Sequence, residues 1–139
     1  MNVLIDTNIA LGVILRREPF YQNASIITDG SQKGMYTAFM SASAVTDISY
    51  IACRRLRDKK LVMSRLKALL ETVDIAAVTG VEIRRAIDLD WADFEDCVQF
   101  TAGERIAVRY IITRDAGDFA KSGIPAVSPE QFLAMITVD

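Results

Sequence analysis

Histidine is absent from all 139 residues, and that single gap removes several chemistries. Serine and cysteine triads that need an imidazole base, histidine-held metal sites and histidine acid–base pairs all drop out. Cysteine is scarce: Cys53 and Cys97 are too few for a disulfide framework, fall inside helical patterns and have no histidine with which to share a zinc ion. Buried free thiols are the expectation. The start of the chain has no basic stretch running into a long apolar segment, and no span of about 20 apolar residues follows anywhere. The chain is therefore read as cytoplasmic, without membrane association. Positive charge is not in excess either, since 16 lysines and arginines face 18 acids for a net charge of −2. No global field draws such a chain to nucleic acid, so any contact of that kind falls to a local patch. Glycine-rich phosphate loops are missing too: neither G-x-x-x-x-G-K-[ST] nor G-x-G-x-x-G follows the first apolar run.

What is present is a core former. With 51% apolar residues and 3 prolines, residues 1–139 have the composition and length of a single soluble domain. Val3-Leu4-Ile5 is an uninterrupted apolar run ending in Asp6-Thr7-Asn8, as expected of a strand buried on both faces whose end emerges into a polar site. Helices are predicted over about 7–15 and 21–31, then a strand over 36–40. A third helix is capped by Ser41 or Ser43, with Ala44, Val45, Ile48, Ile51 and Ala52 as its stripe. A basic segment, 54–60, precedes a helix over 61–70, whose face Val62, Leu66, Leu69 and Leu70 suits either the core or a dimer contact. A strand over 73–78, a helix over 81–87, a helix reaching about Arg109 and a strand over 110–113 come next. A polar turn, a strand over 125–127 and a helix opened by the capping box Ser128-Pro129-Glu130-Gln131 finish the chain. This alternation predicts a three-layer α/β/α sandwich with a mainly parallel central sheet. Ligands bind beyond the carboxyl ends of such strands.

Carboxylates are then the main candidates for chemistry. Asp6 and Asp115 follow predicted strands, Asp47 and Asp96 sit on helices, and Asp118, Asn8, Thr113, Asp93 and Glu95 are neighbours. Two carboxylates about 4 Å apart repel by roughly 4 kcal/mol at an effective dielectric of about 20, and a divalent cation reverses that sign. An all-oxygen, histidine-free set suits Mg²⁺ or Mn²⁺. One or two such ions can orient a phosphodiester, acidify the attacking water and stabilise the leaving 3′ oxygen. Each acid also has a plainer reading. Asp93 reads first as a helix cap, Asp47 as an exposed acid beside a buried stripe, and Asp118 as a turn former. Asp96 lies opposite the stripe Phe94, Cys97, Val98, Thr101 and Ala102, in line with Gly103 and Ala107, so it either reaches past the sheet end or is a solvated surface acid. Asp6 is the strongest single case, an acid directly after a buried strand.

Leu4-Ile5-Asp6-Thr7-Asn8, Asp47, Asp93-Phe94-Glu95-Asp96, and Ile112-Thr113-Arg114-Asp115 with Asp118-Phe119 together resemble the PIN domain in its VapC-toxin-like branch. The resemblance spans essentially the whole chain. It implies a Mg²⁺- or Mn²⁺-dependent endoribonuclease acting on RNA, often a toxin held by a cognate antitoxin protein, and often a homodimer. It places Asp6, Asp47, Asp96 and Asp115 as the catalytic acids, with Asp6, Asp96, Asp115 and the auxiliary Asp118 toward metal. Asn8, Thr113 and Asp93 stand in support. The second position departs from the pattern, because Asp47 stands where the family usually carries glutamate, one methylene longer. That departure implies a metal held there through water or more weakly, and it keeps open a catalytically weak RNA-binding or scaffold module. A haloacid-dehalogenase-type phosphatase expects a second aspartate at position 8, where this chain has asparagine. A flap-type DNA nuclease shares the acidic logic but usually needs more chain. Arg16, Arg17, Arg54, Arg55 and Lys59 are either RNA-backbone contacts or a solvated surface.

Overall fold

The computed structural model describes residues 1–137. Its first strand, β1 (Asn2–Ile5), lies at the centre because Val3, Leu4 and Ile5 are all fully buried. Helices α1 (Thr7–Ile14) and α2 (Phe20–Gln32) lead to β2 (Thr37–Ser41), and α3 (Ala42–Leu56) and α4 (Lys59–Leu70) lead to β3 (Asp74–Ala76). Then come α5 (Gly80–Leu89), α6 (Phe94–Arg105), β4 (Tyr110–Ile112), a 3-10 turn (Ala116–Phe119), β5 (Ala126–Val127) and α7 (Pro129–Thr137). The five strands are parallel in the order β3-β2-β1-β4-β5. The chain thus builds outward from β1 on one side and returns to its other side at β4, which makes the β1/β4 junction the switch point where a crevice opens.

Alternation along β1 divides the core between two faces. Val3 and Ile5 join Ile9, Ile27, Ile48 and Phe132 on one side of the sheet, while Leu4 packs with Phe100, Ile111 and Phe119 on the other. The three-layer α/β/α arrangement with a parallel sheet is as the sequence predicts. Of the α4 face, Val62, Leu66 and Leu69 are buried core and Leu70 is half-buried against it, so the face packs inward as core. Ser41 is the cap of α3, accepting from the Ala44 N–H at 3.1 Å. At α7, Ser128 Oγ accepts from Gln131 N–H at 3.1 Å and Gln131 Oε1 accepts from Ser128 N–H at 2.9 Å, completing the capping box. Cys97 is buried, Cys53 half-buried, and both are free thiols.

Helix α6 differs from its predicted form. It ends at Arg105 rather than near Arg109, because Ala107 takes a left-handed conformation at φ 54° and the Val108 N–H turns back to Gly103 O at 3.1 Å. Nor is it one-sided. Gln99, Phe100 and Gly103 are buried along with the predicted stripe, while Phe94 is 46% exposed. A β-carbon on Gly103 would lie 3.2 Å from Leu4 Cδ2 and 3.0 Å from Val108 Cγ2. The helix therefore seats tightly on β1. Gly103→Val is expected to cost about 1–3 kcal/mol by overpacking, read as a lowered urea midpoint at constant slope.

Candidate active site

Asp6 leaves the buried β1 strand with extended backbone (φ −68°, ψ 154°) at the N-cap of α1. Its side chain makes no capping hydrogen bond there. The carboxylate, 4% exposed, is instead turned across the sheet end. Oδ2 accepts from Thr113 Oγ1 at 2.8 Å, and Oδ1 accepts from Gln99 Nε2 at 3.1 Å. Burial pushes its pKa up, the donors Thr113, Gln99 and the Thr7 N–H pull it back, and the charge of Asp115 adds to the rise. A buried anion with this many donors is arranged as an acceptor site, not as decoration.

Asp93 caps α6 by accepting from the Asp96 N–H at 3.0 Å, which is its plainer reading. Asp93→Ala is expected to destabilise the fold by about 1 kcal/mol, within a range of roughly 0.5–2, measurable by thermal denaturation. Asp96 is half-buried and directed at the same amide as Asp6, its Oδ1 accepting from Gln99 Nε2 at 3.3 Å. Burial first, then the charges of Asp6, Asp93, Asp118 and Glu95, push its pKa up to about 7. Asp96 therefore faces the sheet end, as one of its two predicted readings held.

Thr113 ties the third element in. Its hydroxyl donates to Asp6 and accepts from the Asp115 N–H at 3.0 Å. Asn8 Nδ2 donates to Asp115 Oδ2 at 3.3 Å, bringing the α1 start to the turn after β4. Asp118 is exposed on the 3-10 turn, near enough for its charge to raise Asp96. Asp47, on α3, meets Glu95 at the start of α6. Glu95 is raised chiefly by the nearby Asp47 charge, while Asp47 is raised by burial. Glu95, foreseen only as a neighbour, thus partners the aspartate that departs from the expected glutamate.

Gln99 is the residue that sequence reasoning missed. It is 3% exposed and contacts Asp6, Asp96 and the Thr7 backbone. One signal for it was available: Gln99 lies three residues after Asp96, so the two share a helix face.

A family model described as PIN domain matches residues 2–117. The chain belongs to the PIN domain family. Among curated protein sequences none matches. Several solved structures do match this PIN domain in fold. VapC20 of Mycobacterium tuberculosis, described as a Sarcin-Ricin loop cleaving toxin, is 15% identical with a TM-score of 0.70 over 88% of this chain and 95% of that one. PAE2754 of Pyrobaculum aerophilum is 14% identical with a TM-score of 0.70 over 100% and 91%. A chain of a toxin–antitoxin complex from Klebsiella pneumoniae is 20% identical with a TM-score of 0.66 over 91% and 97%.

The donor set of this PIN domain is compatible with a hard divalent cation. Asp6 and Asp96 place one oxygen each around a single polar point, and Mg²⁺ needs only one or two carboxylates because it keeps several waters. Among the described residues no three acids, cysteines or histidines draw together into a ready ligand group. Asp115 and Asp118 line the same sheet end without closing on that pair.

Proposed function

We propose that this PIN domain is a metal-dependent endoribonuclease, hydrolysing RNA phosphodiester bonds with Mg²⁺ or Mn²⁺ between Asp6 and Asp96. The observation that carries the reading is the convergence of these two carboxylates on one amide at the β1/β4 switch point. When bound, the cation would supply a Lewis acid and an acidified water for attack at phosphorus. Asp6 and Asp96 would hold it, with Asp115 and Asp118 available to its waters and Asp47, through Glu95, at the margin. Thr113 keeps Asp6 aimed and Asn8 keeps Asp115 aimed, so neither acid must reorganise when a substrate arrives. Arg114 sits beside the site, its Cζ 3.8 Å from the Phe20 ring centre and its Nη2 at 3.5 Å from Asn8 O. In this reading Arg114 supplies a cation beside the acids for an RNA phosphate.

The toxin role, with a cognate antitoxin protein as partner, rests on the solved structures of similar fold, which include a toxin–antitoxin complex from Klebsiella pneumoniae and VapBC2 from Rickettsia felis bound to a DNA fragment. We include in the proposal a single working domain over 1–139, a homodimer and a cytoplasmic setting. No helix among the described residues is long and apolar enough to cross a membrane. A second reading, an RNA-binding or scaffold module of little catalytic power, is favoured by the engagement of Asp47 with Glu95.

Purified protein incubated with mixed-sequence single-stranded RNA in Mn²⁺, Mg²⁺ or EDTA separates the two. Cutting in either metal and none in EDTA is the expected result. Binding of RNA without cutting in any metal would favour the module.

A further inference from the structure

Gln99 occupies the point where the two acids meet. Its orientation is fixed by chemistry: the Thr7 backbone N–H is a donor only and lies 3.3 Å from Oε1, so the amide nitrogen must face the carboxylates. That nitrogen carries two hydrogens, and two oxygens receive them, Asp6 Oδ1 at 3.1 Å and Asp96 Oδ1 at 3.3 Å. The side chain cannot swing away freely, because it is 3% exposed and sits on α6, which the close approach of Gly103 to Leu4 clamps to β1. Asp6 is on the strand end and Asp96 on a different element, so no other contact among the described hydrogen bonds joins these two carboxylates. Left alone, two like charges so placed would diverge, the less buried Asp96 toward solvent.

We infer that Gln99 is a positioning residue, a fixed neutral donor that holds Asp6 and Asp96 convergent so that a divalent cation finds both carboxylates already in place. This inference rests on the metal-dependent reading given above. It assigns no contact with substrate to Gln99, which acts through the two acids. Groups that orient metal ligands in this way typically carry a 10–100-fold share of metal affinity.

The test is calorimetric titration of Mn²⁺ into the metal-free protein without RNA, so that catalysis plays no part, with the unfolding midpoint measured alongside. Gln99→Met keeps length and burial but removes the donor, and its Mn²⁺ Kd is expected to rise about 10–100-fold. Gln99→Asn, an amide withdrawn by one methylene, should fall between that variant and wild type. Gln131→Met, which removes an exposed glutamine contact at the start of α7 instead, should leave the Kd unchanged. A folded Gln99→Met with a Kd within about threefold of wild type would overturn the inference, since the expected loss is at least tenfold. Tighter Mn²⁺ binding would overturn it as well, because the amide would then be a competitor for the acids. Should Gln99→Met fail to fold, Gln99→Asn decides: a Kd raised above wild type upholds the inference, and an unchanged or lower Kd overturns it. Wild type that takes up no Mn²⁺ at all would instead remove the metal-dependent reading on which the inference stands.

Discussion

Replacing Asp6 by asparagine is expected to lower metal-dependent RNA cleavage by roughly 10²–10³-fold, about 3–4 kcal/mol of transition-state stabilisation. The loss follows from position. Among the described residues, Asp6 is the only acid that directly follows the central strand and accepts from two distant side chains, Thr113 just after β4 and Gln99 on α6. Asparagine keeps the shape but presents one amide group where two acceptors are needed, so one of the two donors loses its partner at about 1–3 kcal/mol. Relief from holding a buried carboxylate offsets that cost. Folding is therefore expected to survive while cleavage collapses. The measurement is initial rate on single-stranded RNA in Mn²⁺, with circular dichroism to establish the fold. A folded Asp6→Asn cutting at near wild-type rate would remove Asp6 from the site.

The second large effect is on stability against pH. Asp96 has an ordinary value of 3.8 and is pushed up to about 7 in the folded protein. Between those limits the folded chain keeps a proton that the unfolded chain has released. The stability from this group is thus complete below about pH 4 and is lost as pH rises through 7. Asp6, Asp47 and Glu95 are raised as well, so all four push in one direction. Metal-free protein is accordingly expected to unfold more easily at pH 8 than at pH 5. The slope is bounded by about 1.4 kcal/mol per pH unit for each proton, and is less for partly solvated groups. Asp96→Asn should flatten the profile and exceed wild type in stability at pH 8, a gain bought from a site kept for function. Urea midpoints at pH 5, 6, 7 and 8 in EDTA would show it. A flat wild-type profile, or an Asp96→Asn variant weaker than wild type at pH 8, would contradict the electrostatic account.

Much of this was legible in the residues, and the reasons differ by element. Val3-Leu4-Ile5 before Asp6 could be read because a strand buried on both faces needs unbroken apolar side chains, and its exit must then be polar. The α7 capping box was legible because its two hydrogen bonds are local. The end of α6 was not, since Ala107 in a left-handed conformation gives no compositional cue of the kind that glycine gives. The role of the α4 face Val62, Leu66 and Leu69 depended on which helices cover it, and periodicity alone cannot distinguish a core contact from a dimer contact. Gln99 escaped notice for a related reason. A glutamine in a helix reads as surface until the sheet end is known to lie across it, and its partners Asp6 and Thr7 are more than 90 residues away, at |i−j| of 93 and 92.

The central claim, a divalent cation held between Asp6 and Asp96, is tested most directly by paramagnetic broadening of amide NMR signals at substoichiometric Mn²⁺. The signals of Asp6, Thr7, Asp96, Gln99 and Thr113 should broaden first, while those of Val62 and Leu66 on α4 stay sharp. Broadening centred elsewhere on the molecule, or none at concentrations that support RNA cleavage, would contradict it.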